Sequence, residues 1–234
     1  MNDYYLELVR QKPINYNGLL FYPITFSYIC DEIGIDIFYN ILKPVLITKE
    51  SCNLLDDANL FEDVILADKD LCYRFSILLI HFCKCNEVIK ENKTLILCFN
   101  DRSQFVIDRN NFEDIAYIIM KISGQKKIQV EKEPKKMSAR QRDVWEKLQK
   151  GRKKEAKKNE IHIYDILNIC EFCGGYHIPQ ETMNNWTLWK IMNCYNIITE
   201  LKTYNDHLQI GLAVHDLKLV SDKNHWIKKI LVRD

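Results

Sequence analysis

The chain has 234 residues, 47% of them hydrophobic and 28% charged, enough apolar material for one large core or two small ones and too much for wholesale disorder. A formal charge of +1 gives the molecule as a whole no electrostatic reason to seek nucleic acid or a membrane surface. Only seven glycines are present, and neither GxxxxGK[ST] nor GxGxxG occurs, which excludes the common glycine-rich phosphate cradles.

In chain order, Ile14 to Pro23 places Asn17-Gly18 between two short apolar runs, the strongest short-range signal for a β-hairpin. A helix is expected from Thr25, with Phe26, Ile29, Cys30 and Ile33 on one face and Gly34 as its stop. Residues 55–66 and 70–90 read as two further helices. In the second, Leu71, Phe75, Leu78, Leu79, Phe82 and Cys83 form an apolar stripe wide enough for the middle of a core. A second hairpin follows, Thr94–Phe99 and Gln104–Ile107 across the turn Asn100-Asp101-Arg102-Ser103. Asn110 or Asn111 then caps a helix that turns Phe112, Ile115, Ile118 and Ile119 inward.

Charge is distributed unevenly. Between Lys126 and Lys158 stand 14 Lys or Arg against 5 Asp or Glu, a net of +9, which leaves −8 for the rest of the chain. This stretch reads as a solvated basic connector, with Ser138 capping a helix that runs toward Lys158. Beyond it, helices are expected over Ile161–Cys173, from near Pro179, over Asn185–Lys202, over Tyr204–Val214, and around His225, Trp226 and Ile230. The fold class is therefore α+β. A mixed domain with two β-hairpins and several helices (1–122) leads through the basic helical connector (126–158) to an all-helical bundle (160–234).

Nine cysteines, an odd number, accompany a start (Met1-Asn2-Asp3-Tyr4) without a basic segment and apolar run. Free, mostly buried thiols in a reducing cytoplasm are expected. The apolar stretch Leu71–Ile89 is interrupted by Arg74, His81, Lys84 and Glu87, too often for a membrane span.

Candidate chemistry is sparse. Cys170-Glu171-Phe172-Cys173 followed by Gly174, Gly175 and His177 supplies three potential zinc ligands, but no second CxxC or HxxxH supplies the fourth. Only Cys194 or His162 could be recruited through the fold. The plainer reading places Cys170 in a helix core stripe and Cys173 in the last turn. A thioredoxin-like role would need the motif at a helix N-terminus, and here it falls at the opposite pole. Cys83 and Cys85 read as core filling beside His81. Asp56, Asp57, Glu62, Asp63 and Asp68 read as a solvated acidic face, and His207 and His215 as boundary histidines. No cofactor is expected and no nucleophile–base motif proposes an enzyme.

The basic connector could neutralise phosphates. Acidic residues interrupt it, however, and Trp145 is its single aromatic for base stacking, so nucleic acid is not the expected partner. A protein partner fits it better, through Arg142, Trp145, Arg152, Lys153 and Lys154. Trp186, Trp189 and Trp226 are further contact candidates whose ordinary role is bundle core.

The order of features resembles a family of tail-assembly proteins from phages and prophages of Gram-positive bacteria. The resembling segments are Pro13–Ile24 with its "YNG" turn and "YP" strand, and Ile107–Met120 with its "NF-[DE]-x-I" helix. Ile163–Leu167, Trp186–Ile191, Gly211–Ala213 and His225–Ile230 with its "HW" helix also match. The resemblance covers most of the chain through short, degenerate motifs, and Cys170–Cys173 is not among them. It implies a cytoplasmic, chaperone-like assembly protein that binds a tape-measure or major tail protein, possesses no catalytic residues, and could self-associate. The alternatives are a permanent structural component of a tail or baseplate, and a zinc- or nucleic-acid-binding regulator.

Overall fold

The computed structural model describes residues 4–52, 54–55, 57–127, 138–158, 161–175 and 177–213. It is a mixed α+β protein. Helix α1 (Tyr5–Val9) leads into strands β1 (Ile14–Tyr16) and β2 (Leu19–Phe21), antiparallel and closed by Asn17 and Gly18 as expected. The Asn15 side chain accepts the Gly18 N–H at 2.9 Å and locks the turn. Helix α2 (Phe26–Tyr28) starts at Thr25, whose hydroxyl accepts the Tyr28 N–H, and passes into a π-helical segment, Ile29–Ile33. The wider π turn corrects one expectation. Phe26, Ile29 and Ile33 are buried, but Cys30 is rotated to the surface.

Helices α3 (Ile35–Ile41) and α4 (Lys43–Leu46) come next. The helix expected over 55–66 reduces to a π-helical segment, Phe61–Ile65. Asn59 explains the late start, because its side-chain oxygen accepts the Phe61 and Glu62 N–H groups and acts as the cap. Helix α5 (Lys69–Cys83) is the central element, capped by the Asp68 carboxylate through Asp70 and Leu71 N–H. Its stripe of Phe75, Leu78, Leu79, Phe82 and Cys83 is buried, with Leu71 half-buried at its start.

The expectation that this helix continues to residue 90 fails at Lys84, which adopts a left-handed conformation (φ +56°) and ends it. The chain then forms β3 (Glu87–Glu91), a strand that joins β4 (Thr94–Cys98) and β5 (Gln104–Ile107) in an antiparallel sheet ordered β3-β4-β5. The second hairpin is as expected, and β3 is the addition. Helix α6 (Phe112–Ile122) buries Phe112, Ile115, Ile118 and Ile119 as expected. Its cap differs in detail: the Asp108 carboxylate accepts the Asn110 and Asn111 N–H groups, while Asn111 Oδ1 accepts the Asp108 N–H.

Helix α7 (Ala139–Lys158) is the basic helix. Helices α8 (Ile163–Phe172) and α9 (Gln180–Asn184) follow, then α10 (Leu188–Ala213). The two helices expected over 185–202 and 204–214 are one up to Ala213. Thr203 lies within it, and the Thr199 and Thr203 hydroxyls donate back to the Tyr195 and Thr199 carbonyls at 3.0 and 2.8 Å. The expected last helix, with His225, Trp226 and Ile230, lies outside the described residues, as does Val214.

One buried apolar cluster runs from Leu8 through α5 and α6 to Cys170, Trp189 and Ile191. At its centre the Phe112 ring stacks on Phe61 (centroids 4.9 Å apart) and meets Phe75 edge-on at 5.3 Å. Chain-distant hydrogen bonds join its two ends: Phe26 N–H donates to the Trp186 carbonyl at 2.7 Å, and Thr187 N–H to Gln11 Oε1 at 2.8 Å.

Candidate functional site

Helix α7 carries nine Lys or Arg and three Asp or Glu. Its start follows from a reciprocal cap: Ser138 Oγ accepts the Gln141 N–H at 3.3 Å, and Gln141 Oε1 accepts the Ser138 N–H at 2.8 Å. One turn on, Lys147 pairs with Asp143 at 2.8 Å, a spacing of four that supports an exposed helix by a few tenths of a kcal/mol. Every α7 side chain whose burial is described is exposed or half-buried. Val144 and Leu148 are 50% and 55% exposed.

The spacing gives α7 two unlike sides. At 100° per residue, Gln141, Val144, Trp145, Leu148 and Arg152 follow one narrow stripe, and Lys147, Lys150, Lys154 and Lys157 follow the opposite side. Arg142 borders the stripe and is exposed, Trp145 within it is half-buried, and Arg152 extends it. Lys154 is exposed on the other side, and Lys153 lies between them in the helix. Of the five residues expected to meet a partner, Lys154 is thus set apart from Arg142, Trp145 and Arg152. Trp145 and Arg152 share the stripe, where Val144 and Leu148, not among the expected contacts, add its apolar content. Their signal was the three- and four-residue spacing from Gln141 to Arg152, obscured by the lysines around it.

The other candidates resolve individually. Cys170 is buried in the α8 stripe and Cys173, the C-cap, is exposed; His177 stacks its ring on Phe172. Among the described residues, no group of three or more His, Cys, Asp or Glu is placed to hold a metal ion. Cys83 and Cys85 are buried, and burial pushes the Cys85 thiol up to about 11 and raises that of Cys83 as well. His81 Nδ1 meets the Tyr28 hydroxyl at 3.1 Å, and burial lowers its pKa. The acidic group disperses into structural tasks: Asp68 caps α5, Glu62 pairs with Lys93, and Asp63 accepts the Asn59 N–H. Asp56, His215 and Trp226 lie outside the described residues. Trp189 is core, and Trp186 is half-buried with Lys190 Nζ 4.5 Å from its ring centroid.

An open cleft of about 570 Å³ lies between the β1–β2 turn and the β4–β5 turn, with Lys84 at its edge. Lys84 Nζ sits 4.2 Å from the centroid of the Tyr22 ring. Asp101 accepts from both the hydroxyl and the N–H of Ser103, which holds its carboxyl below the ordinary value. The cleft thus combines one cation, one carboxylate and apolar surface from Leu20, Phe99 and Phe105.

No helix among the described residues is long and apolar enough to cross a membrane. No family model, no curated protein and no solved structure matches the chain.

Proposed function

We propose that this protein acts by protein–protein binding, without catalysis, as an assembly factor for phage tails that engages a tape-measure or tail-tube protein. The observation that carries the binding role is α7, a twenty-residue helix with no buried side chain among those described and an apolar stripe left half open to solvent. A helix of that kind gains from a partner what it lacks at home, since docking buries Val144, Leu148 and the rest of Trp145. The assignment to phage tails rests on the motifs at Pro13–Ile24, Ile107–Met120 and Trp186–Ile191. An assembly factor of this kind covers an aggregation-prone helix until tail subunits replace it.

The test is capture of the tagged chain from cells co-expressing its neighbouring genes, with mature particles probed in parallel. Recovery of a long helical tail protein, with none of this chain in particles, is the expected result. Presence in particles makes it a permanent tail component. Recovery of nucleic acid alone overturns the reading.

A further inference from the structure

The cleft beside Lys84, which binding by α7 does not use, has a strand edge in each wall. Among the described residues, β5 ends the β3-β4-β5 sheet and β2 pairs with β1 alone. Leu19 and Leu20 of β2 and Gln104 and Phe105 of β5 line the cleft. The pairing fixes which way their main-chain groups point. The Phe99 N–H donates to the Ser103 carbonyl at 3.1 Å across the β4–β5 turn, so by alternation the Gln104 N–H and C=O point away from β4. Val106 faces the same way, and its carbonyl accepts from Asn111 Nδ2 at 2.9 Å rather than from a strand. In the other wall the Tyr22 N–H points away from β1, to the Phe82 carbonyl at 2.7 Å, and Leu20, two residues earlier, shares its direction.

The two outer edges of the three-stranded sheet differ in kind. Strand β3 carries Glu87, Lys90 and Glu91, charges that discourage a further strand, with Lys90 Nζ tied to the Leu66 carbonyl at 2.7 Å. Strand β5 reads Gln104-Phe105-Val106-Ile107, without a charge, and Val106 is 48% exposed. A cation waits in the cleft beside this open edge. Lys84 Nζ meets the Tyr22 ring and, among the described residues, no carboxylate within ion-pair distance. The carboxylate in the lining, Asp101, is engaged by Ser103 instead.

We propose that the cleft binds an extended peptide segment of a partner protein, which adds as a strand to β5 and sets an acidic side chain on Lys84. Its main chain pairs with the Gln104 N–H and C=O and with the Val106 N–H, and pairing stops where Asn111 occupies the Val106 carbonyl. Alternate side chains of such a strand reach the apolar lining of Leu20, Phe99 and Phe105. A helical ligand fits less well, because its main-chain groups are already paired within itself and both strand edges would stay open. The short edge supplies few main-chain bonds, so selectivity falls to the apolar lining and to Lys84.

The experiment selects a library of random linear octapeptides against the immobilised full chain and synthesises the recovered consensus. Alternating apolar residues with one Asp or Glu are expected. The bound peptide should slow amide hydrogen exchange at Gln104 and Val106, read residue by residue by NMR. Replacing its acid by the corresponding amide should weaken Kd roughly fivefold on the native chain and leave it unchanged on Lys84→Gln. Val106→Pro, which removes the outward N–H at an edge position that accepts proline, should weaken binding as well. The proposal is overturned if no recovered peptide binds more tightly than its scrambled sequence, if protection falls outside β5, or if Lys84→Gln leaves the effect of the acid intact. The selection reads the cleft without a tail protein, so its failure is distinguishable from failure of the α7 role.

Discussion

Replacing Val144 and Leu148 together by glutamine tests whether the α7 stripe faces a partner or the chain's own core. Fully burying a Val or Leu side chain contributes about 1.5–3 kcal/mol, and roughly half of each surface here remains to be covered. Docking would therefore draw about 2 kcal/mol from the pair, which the double substitution removes, weakening the partner's Kd roughly thirtyfold. Folding should barely notice. Glutamine is a good helix former, and substitutions at exposed positions usually fall within about 0.5 kcal/mol. Urea denaturation of the free chain reads the first quantity, and titration of the captured tail protein against the immobilised chain reads the second. A loss of folding stability above about 1.5 kcal/mol would mean that the stripe is packed within the molecule, and an unchanged Kd would remove α7 from the interface.

Four further outcomes follow from the geometry. Phe112→Ala should cost about 3–5 kcal/mol in urea denaturation, because it opens a cavity between Phe61 and Phe75. Gly124→Ala should cost about 2–3 kcal/mol by the same assay: φ is +65°, and a Cβ there would stand 3.0 Å from the Trp189 Cα, which is backbone and cannot swing aside. Gly151→Ala in α7 should instead raise stability or helix content by up to about 1 kcal/mol, since a Cβ there meets nothing within 4 Å; circular dichroism reads it. Tyr16 donates to Asp114 at 2.9 Å, and burial with that bond raises its pKa to about 12. A raised folded-state pKa favours the protonated form, so this contribution is complete below pH 10 and fades as the pH rises through 12. The stability difference between the native chain and Tyr16→Phe should accordingly shrink over that window in pH-dependent denaturation.

Legibility in the sequence tracked how local the deciding interaction was. The Asn17-Gly18 turn, the α6 stripe from Phe112 and the Ser138 cap depend on neighbours within four residues, and all three were readable. Residues 84–91 were not. Ile89, seven residues beyond Phe82, continues the helical spacing of α5, and what overrides it is the Lys84 left-handed turn together with pairing of Val88 to Leu97 and of Ile89 to Ile96, nine and seven residues further on. The π turn at Ile29–Ile33 likewise shifts Cys30 out of register without any compositional sign. In α10 the reverse holds: one helix runs through Thr203 to Ala213 where two were expected. The candidate surface was half readable. Charge located α7, but its lysines concealed the Val144–Leu148 stripe, and the bond from the Cys170 thiol to the Ile191 carbonyl depends on two helices meeting.

The helix that charge located is also the one least supported by the fold. Most helices in proteins are held by a buried face rather than by propensity alone. Helix α7 has no buried side chain among those described, contains Gly151 in its interior, and is sustained locally by the Ser138–Gln141 cap and the Asp143–Lys147 pair. Those devices keep a helix formed without binding it to the core, while the residues before and after it pack into one continuous apolar cluster. A partner that completes the Val144–Leu148 stripe would therefore find the helix largely preformed, and little of its binding energy would go into ordering α7. The same weakness predicts that hydrogen exchange in α7 outpaces that in α5, and that a bound partner slows α7 first.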